Sequence, residues 1–318
     1  MKEKFVAELS SKYNSKGPAL IFGKGMFNKE VVSEVTVGLP LKMFNRHGLI
    51  AGATGTGKTK TLQVIAEGLS NAGVPSLVMD IKGDLSGLAE PGDQDNVHIQ
   101  NRHDKLQIPY ESTGFPVELL TLSDEKGIRL RATVSEFGPV LFSKILDLND
   151  TQSDIMAIIF KYCDDKGLPL VDLKDVRKVL QYVSEDPSGK AELKRDYGGI
   201  ASSSLSAILR SIVALEQQGA DKFFGELSFD PEDLLEKRGG KGVINILRVT
   251  DIQDKPNLFS TFMLGLLAEI YNTFPEQGDS DRPKLVLFID EAHLIFREAS
   301  KALLQQIETV VKLIRSKG

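Results

Sequence analysis

One cysteine, Cys163, is the whole thiol content of the 318 residues. No internal disulfide framework can form, and a reducing compartment suits the chain best. Cys163 falls in an apolar helical stretch and reads as a buried structural thiol rather than a nucleophile. No run reaches the roughly 18–20 unbroken apolar residues that a membrane-spanning helix needs. The N-terminus opens Met-Lys-Glu-Lys and then mixes polar with apolar residues, without the apolar core of a signal peptide. These absences point to the cytoplasm and away from the membrane. Excess positive charge is missing too: 39 Lys and Arg against 44 Asp and Glu leave −5 at pH 7. Such a chain does not hold nucleic acid by bulk charge, although a local basic channel built by a ring of subunits is compatible with the balance. Internal repeats and low-complexity tracts are absent as well.

What is present is an alternation of apolar strands with amphipathic helices, the mark of an α/β protein with a mostly parallel sheet covered on both faces. Residues 1–16 read as a polar lead-in with one short helix. Residues 19–22 and 32–42 read as a small β element before the main sheet. A short strand at 49–51 is expected to run into a glycine-rich turn, followed by a helix over 58–71 with Leu62, Ile65, Ala66 and Leu69 on one face. Strands are expected at 74–81 and 117–122, with a loop-rich stretch over 85–114. Helical periodicity dominates 139–220, interrupted by a polar stretch at 185–199. Asp230-Pro231 reads as a helix start. A strand at 242–247, a helix apolar nearly all round at 257–271, a strand at 284–290 and an amphipathic helix at 300–316 complete the pattern. The expected division is a lead-in with a small β element (1–46), the first part of the core (47–138), a mainly helical insertion (139–240) and the second part of the core (241–318).

The densest chemistry lies in Gly52-Ala53-Thr54-Gly55-Thr56-Gly57-Lys58-Thr59, a full match to G-x-x-x-x-G-K-[ST], with Lys60 directly after it. The glycines let the backbone turn tightly and aim its N–H groups at phosphate oxygens. The following helix adds its positive dipole end. Lys58 would reach the β- and γ-phosphates of ATP, and the Thr59 hydroxyl would be a Mg²⁺ ligand. Its counterpart is Asp290-Glu291, after five apolar residues. A parallel strand delivers such acids to the carboxyl edge of the sheet, where ligands bind. Asp290 would hold Mg²⁺, and Glu291 would orient and deprotonate the attacking water. The long separation of Lys58 from Asp290 argues against reading Asp290-Glu291-Ala292-His293 as a DEAH-box signature.

Further segments carry a resemblance. Asn45-Arg46-His47-Gly48-Leu49-Ile50-Ala51 leads into the phosphate loop, Asp80-Ile81-Lys82-Gly83-Asp84 follows the second strand, and Phe223-Phe224-Gly225-Glu226 precedes the Asp-Glu strand. Together with the two motifs they resemble the HerA-like bacterial ATPases of the FtsK–HerA superfamily, over most of residues 18–318. The resemblance implies a RecA-like P-loop NTPase core, a homo-hexameric ring and ATP-driven movement of DNA through a pore. It also implies an arginine finger from a neighbouring subunit, for which Arg210 and Arg315 are the candidates. Asp80, Lys82 and His293 are candidates for support behind the site. The sequence departs from the family pattern in two places. Its N-terminal β element is too small for a full β-barrel. Family members also continue past the last helix into another apolar strand with a polar sensor residue, and that strand is expected to be missing here. The alternative reading is a regulatory or nucleotide-binding ATPase that acts on a protein partner without moving DNA.

Overall fold

The protein is described by a computed structural model covering residues 1–13, 17–252, 255–276, 278, 280–293, 299–313 and 317. Helix α1 (Lys2–Tyr13) packs on an antiparallel hairpin of β1 (Ala19–Phe27) and β2 (Glu30–Pro40). Asn28 and Lys29 both take positive φ at its tip, the geometry that matches strand twist in a two-residue hairpin turn. The hairpin is held to the core by Leu20, which joins Leu41, Ile65, Leu69 and Val74 in one apolar cluster.

The core is a five-stranded parallel sheet. Its strands are β3 (Ser76–Asp80), β4 (Val117–Thr121), β5 (Ile128–Arg129), β8 (Ile244–Arg248) and β9 (Val286–Ile289), in the order β5-β4-β8-β3-β9. A two-stranded ribbon, β6 (Lys237–Arg238) and β7 (Lys241–Gly242), precedes β8. The pleat sorts side chains between two apolar layers. Val78, Ile244 and Ile246 meet Leu62 and Ala66 of α2 (Lys58–Asn71) on one face. Leu77, Met79, Leu120 and Leu247 join the larger cluster on the other.

That larger cluster is built by α4 (Val134–Ile145), α5 (Asp150–Lys166), α6 (Leu173–Glu185), α7 (Pro187–Asp196) and α8 (Ser202–Gln217), followed by α9 (Pro256–Thr273) and α10 (Lys301–Leu313). Helix α9 is buried along most of its length, as expected of a helix apolar all round. Gly265 lets α4 come close, since a Cβ there would lie 2.4 Å from Phe137 Cζ. Phe223 and Phe224 stack edge-on with Phe137 at centroid distances of 5.8 and 5.1 Å. Each such pair contributes about 0.5–1.5 kcal/mol beyond burial, so this segment ties the helices to the sheet. Cys163 is buried in the same layer, and desolvation pushes its thiol up to about 11. Among the described residues no helix is long and apolar enough to cross a membrane.

Four local expectations are corrected. Residues 49–51 form no strand: Leu49 is 87% exposed and the segment pairs with nothing in the sheet. Only Ile50 packs against the core. The loop-rich stretch contains α3 (Val97–Leu106), which has no buried residue. It is started by the Asn96 side chain, which accepts from the amides of His98 and Ile99 at 3.0 and 3.3 Å. Capping rather than an apolar stripe defines it, so periodicity does not reveal it. The polar stretch after α6 is likewise helical as α7, with Asp186 as its cap and Pro187 at its first position. Asp230-Pro231 starts only a short 3₁₀ turn, Pro231–Leu235.

Candidate functional site

The phosphate loop is the link between Ile50 and α2. Gly55 and Gly57 adopt φ of 78° and 93°, values that L side chains rarely take. A Cβ at Gly52 would lie 2.4 Å from Thr56 Oγ1 and would displace that hydroxyl. The turn is closed by Thr56, whose amide and hydroxyl donate to the Ala53 carbonyl at 3.3 and 2.8 Å. Lys58 Nζ folds back to the same carbonyl at 3.2 Å. The first helical bond of α2 runs from the Thr61 amide to the Gly57 carbonyl at 2.9 Å. Among the described residues the amides of Gly55, Gly57, Lys58 and Thr59 donate to no protein acceptor, and no side chain caps the helix. Free amides in a concave turn at a helix N-terminus attract anions. Thr59 and Lys60 lie in the first turn of α2, half-buried and exposed respectively, and Thr54 is exposed on the loop.

The carboxyl ends of the parallel strands supply the opposing groups. Asp290, directly after β9, is 6% exposed. Its Oδ1 accepts from the Glu291 amide at 2.9 Å, while the buried Oδ2 has no partner among the described residues. Burial, reinforced by the charges of Glu291 and Asp84, pushes the Asp290 carboxyl above the ordinary range. A buried, unpaired carboxylate oxygen is costly by itself, and a hard divalent cation is the kind of partner that would satisfy it. The Asp290 carboxylate is thus a donor of the kind that suits Mg²⁺.

Glu291 holds φ of 46°, in the left-handed region. Its carboxylate forms an ion pair with Lys82, and His293 Nδ1 stands 3.3 Å from its other oxygen. The Lys82 hydrogen bond holds Glu291 below the usual carboxylate range, with smaller contributions from His293 and Lys58. Lys58 and Glu291, on opposite sides of the site in sequence, thus lie within electrostatic reach of each other.

Asp80 stands behind this arrangement. It is 1% exposed at the end of β3. Its two carboxylate oxygens accept from the amides of Gly83 at 2.7 Å and Leu85 at 3.1 Å. The carboxylate thereby shapes the turn that carries Lys82 toward Glu291. Asp80→Ala would strip two amides of their acceptor, one of them buried, and is expected to destabilise the protein by about 2–4 kcal/mol. Urea unfolding measures this, and an unchanged midpoint would remove Asp80 from that organising role.

The family model for the helicase HerA-like C-terminal region matches residues 27–318. The chain belongs to this HerA-like family. It is a P-loop ATPase of the HerA-like type. Two solved structures similar to this HerA-like chain are forms of the bacterial conjugative coupling protein TrwB. The unbound monoclinic TrwBdeltaN70 structure matches at 18% identity and a TM-score of 0.52, over 95% of this chain and 66% of that one. TrwB in complex with the non-hydrolysable ATP analogue ADPNP matches at 16% and 0.53, over 96% and 68%. The HerA-like chain thus spans about two thirds of their length and shares their RecA-like fold. No curated protein sequence matches it.

The remaining candidates of the HerA-like chain fall elsewhere. Arg210 is exposed on α8, a helix packed against α5 and α6. Arg315 lies outside the described residues. Asp84, quoted in the sequence only within the segment that carries the resemblance and given no role there, acts by its charge on Asp290. Sequence reasoning passed over Arg248, which ends β8 and pairs through Nε with Glu125 Oε2 at 2.8 Å. Thr250 donates to the other oxygen of Glu125. A charged residue ending an apolar parallel strand, the signal that marked Asp290, was present at Arg248 as well.

Proposed function

We propose that this chain hydrolyses ATP between the phosphate loop and the Asp290-Glu291 edge, and that hydrolysis is coupled to movement or processing of DNA by a homo-hexamer. The observation that carries the reading is the loop's amide set and the buried Asp290 carboxylate oxygen, both without a partner among the described residues. The triphosphate would take the free amides of Gly55, Gly57, Lys58 and Thr59, flanked by Ala53, Thr54 and Lys60. Lys58 would leave the Ala53 carbonyl for the β- and γ-phosphates. Mg²⁺, held by Thr59 and Asp290, would neutralise charge developing on the phosphates. Glu291 would exchange Lys82 for the attacking water and take its proton as the new bond to phosphorus forms and the β–γ bridging oxygen leaves. Asp80, Lys82 and His293 would set the position of that carboxylate. An arginine of a neighbouring subunit would complete the charge stabilisation, with Arg210 and Arg315 as candidates.

The deciding experiment is ATP turnover with and without duplex DNA. Severalfold stimulation by DNA is the expected result. Turnover indifferent to DNA would end the motor reading and favour an ATPase that acts on a protein partner. Absence of turnover under either condition would count against hydrolysis itself.

A further inference from the structure

A second charged feature lies at the opposite end of the sheet. Lys237, Arg282 and Lys284 line a crevice of about 290 Å³ together with Gly73 and Ser280. Gly73 comes just before β3, the β6–β7 ribbon carrying Lys237 just before β8, and Lys284 just before β9. These three strands are neighbours in the sheet, so the crevice sits at their amino ends, whereas Asp80 and Asp290-Glu291 sit at their carboxyl ends.

Among the described residues none that lines the crevice is acidic, and Asp281, although next to Arg282, is not part of the lining. Among the described residues none of the three cations has a carboxylate partner. Arg238, adjacent to Lys237, is instead held by Glu118 at 2.6 Å and Glu236 at 2.8 Å. Two of the three cations are nevertheless fixed by uncharged groups. Arg282 Nη1 donates to the Ala72 carbonyl at 2.9 Å, and Lys284 Nζ lies 4.5 Å from the centre of the Phe274 ring. Converging like charges repel, and a bound anion relieves that repulsion. The unused face of the Arg282 fork suits a phosphate. The described lining offers no aromatic ring on which a base could stack, which favours contact with backbone phosphates alone, independent of sequence.

We propose that this crevice holds a phosphodiester of a nucleic-acid backbone. The assignment rests on the DNA-coupled reading above and gives it a contact surface. Strands β3 and β9 run from the crevice to the ATP edge, a span of about 15 Å at the usual rise per residue. A phosphate bound at one end is therefore joined to the hydrolytic groups by two hydrogen-bonded strands.

The test is fluorescence anisotropy with labelled duplex and single-stranded DNA across a salt series. It compares the wild type with the Lys237→Glu/Lys284→Glu and Lys237→Gln/Lys284→Gln variants. Arg282 is left intact because it also supports the Ala72 turn. Circular dichroism and urea midpoints check folding, and the neutral pair serves if the charge reversal fails to fold. The expected result is a loss of DNA affinity of about tenfold or more, with a salt dependence shallower by about two counterions. Wild-type affinity and salt slope in a folded variant would overturn the crevice while leaving DNA binding elsewhere in place. Binding of inorganic phosphate but not DNA would assign the crevice to a small anion and overturn the proposal. A wild type that binds no DNA would remove both the crevice and the DNA-coupled reading, and ATP turnover alone would then judge the ATPase.

Discussion

The Glu291→Gln variant is expected to bind ATP as the wild type does and to hydrolyse it about 10²–10⁴-fold more slowly. The amide keeps the size of the side chain and its position after Asp290, but it cannot accept the proton of an attacking water. Nucleotide affinity should survive because the groups expected to grip the triphosphate, the loop amides and Lys58, belong to another segment. The measurement is a pair: equilibrium binding of a fluorescent ATP analogue, and steady-state phosphate release. Retained turnover would remove Glu291 as the base. Lost binding together with lost turnover would instead make Glu291 part of the nucleotide cradle. The ion pair with Lys82 sharpens the comparison. Lys82 keeps the carboxylate ionised, as a base must be, yet it also occupies the oxygen that would receive the proton.

Lys58→Ala should act at the earlier step. Its ammonium rests on the Ala53 carbonyl, a contact that a γ-phosphate would replace with a far stronger charge-assisted one. Removing it is expected to lower turnover by about 10²-fold or more, equivalent to roughly 3 kcal/mol of lost transition-state stabilisation, and to weaken nucleotide binding. Stability should change by no more than about 0.5 kcal/mol, as for other substitutions outside the core. Thermal unfolding without nucleotide tests the second half of that expectation, and the shift on adding ATP and Mg²⁺ tests the first. A variant still protected by ATP to the wild-type degree would show that Lys58 does not grip the phosphates. Run together, the two substitutions separate binding from chemistry.

The parallel α/β architecture was legible because each of its signals is short-range. Five apolar residues before Asp290 mark a strand covered on both faces, and Leu62, Ile65, Ala66 and Leu69 mark the buried side of α2. The helices α3 and α7 were missed for the complementary reason. Their starts depend on single caps, Asn96 and Asp186, and their faces bury too little to leave a period. The strand expected at 49–51 was wrong because pairing needs a neighbour. β9 has β3 on one side, and no described strand lies on its other edge to receive residues 49–51.

By itself, then, the amino-acid order determined the fold class, the family and the phosphate-loop motif, since a glycine pattern running into a helix is a property of adjacent residues. Only the tertiary structure decided what surrounds them. It set Lys82 on Glu291 from 209 positions away and gathered Lys237, Arg282 and Lys284 around one crevice. Such meetings depend on which strand ends share an edge of the sheet. That follows from the summed packing of the whole chain, and no local spacing encodes it.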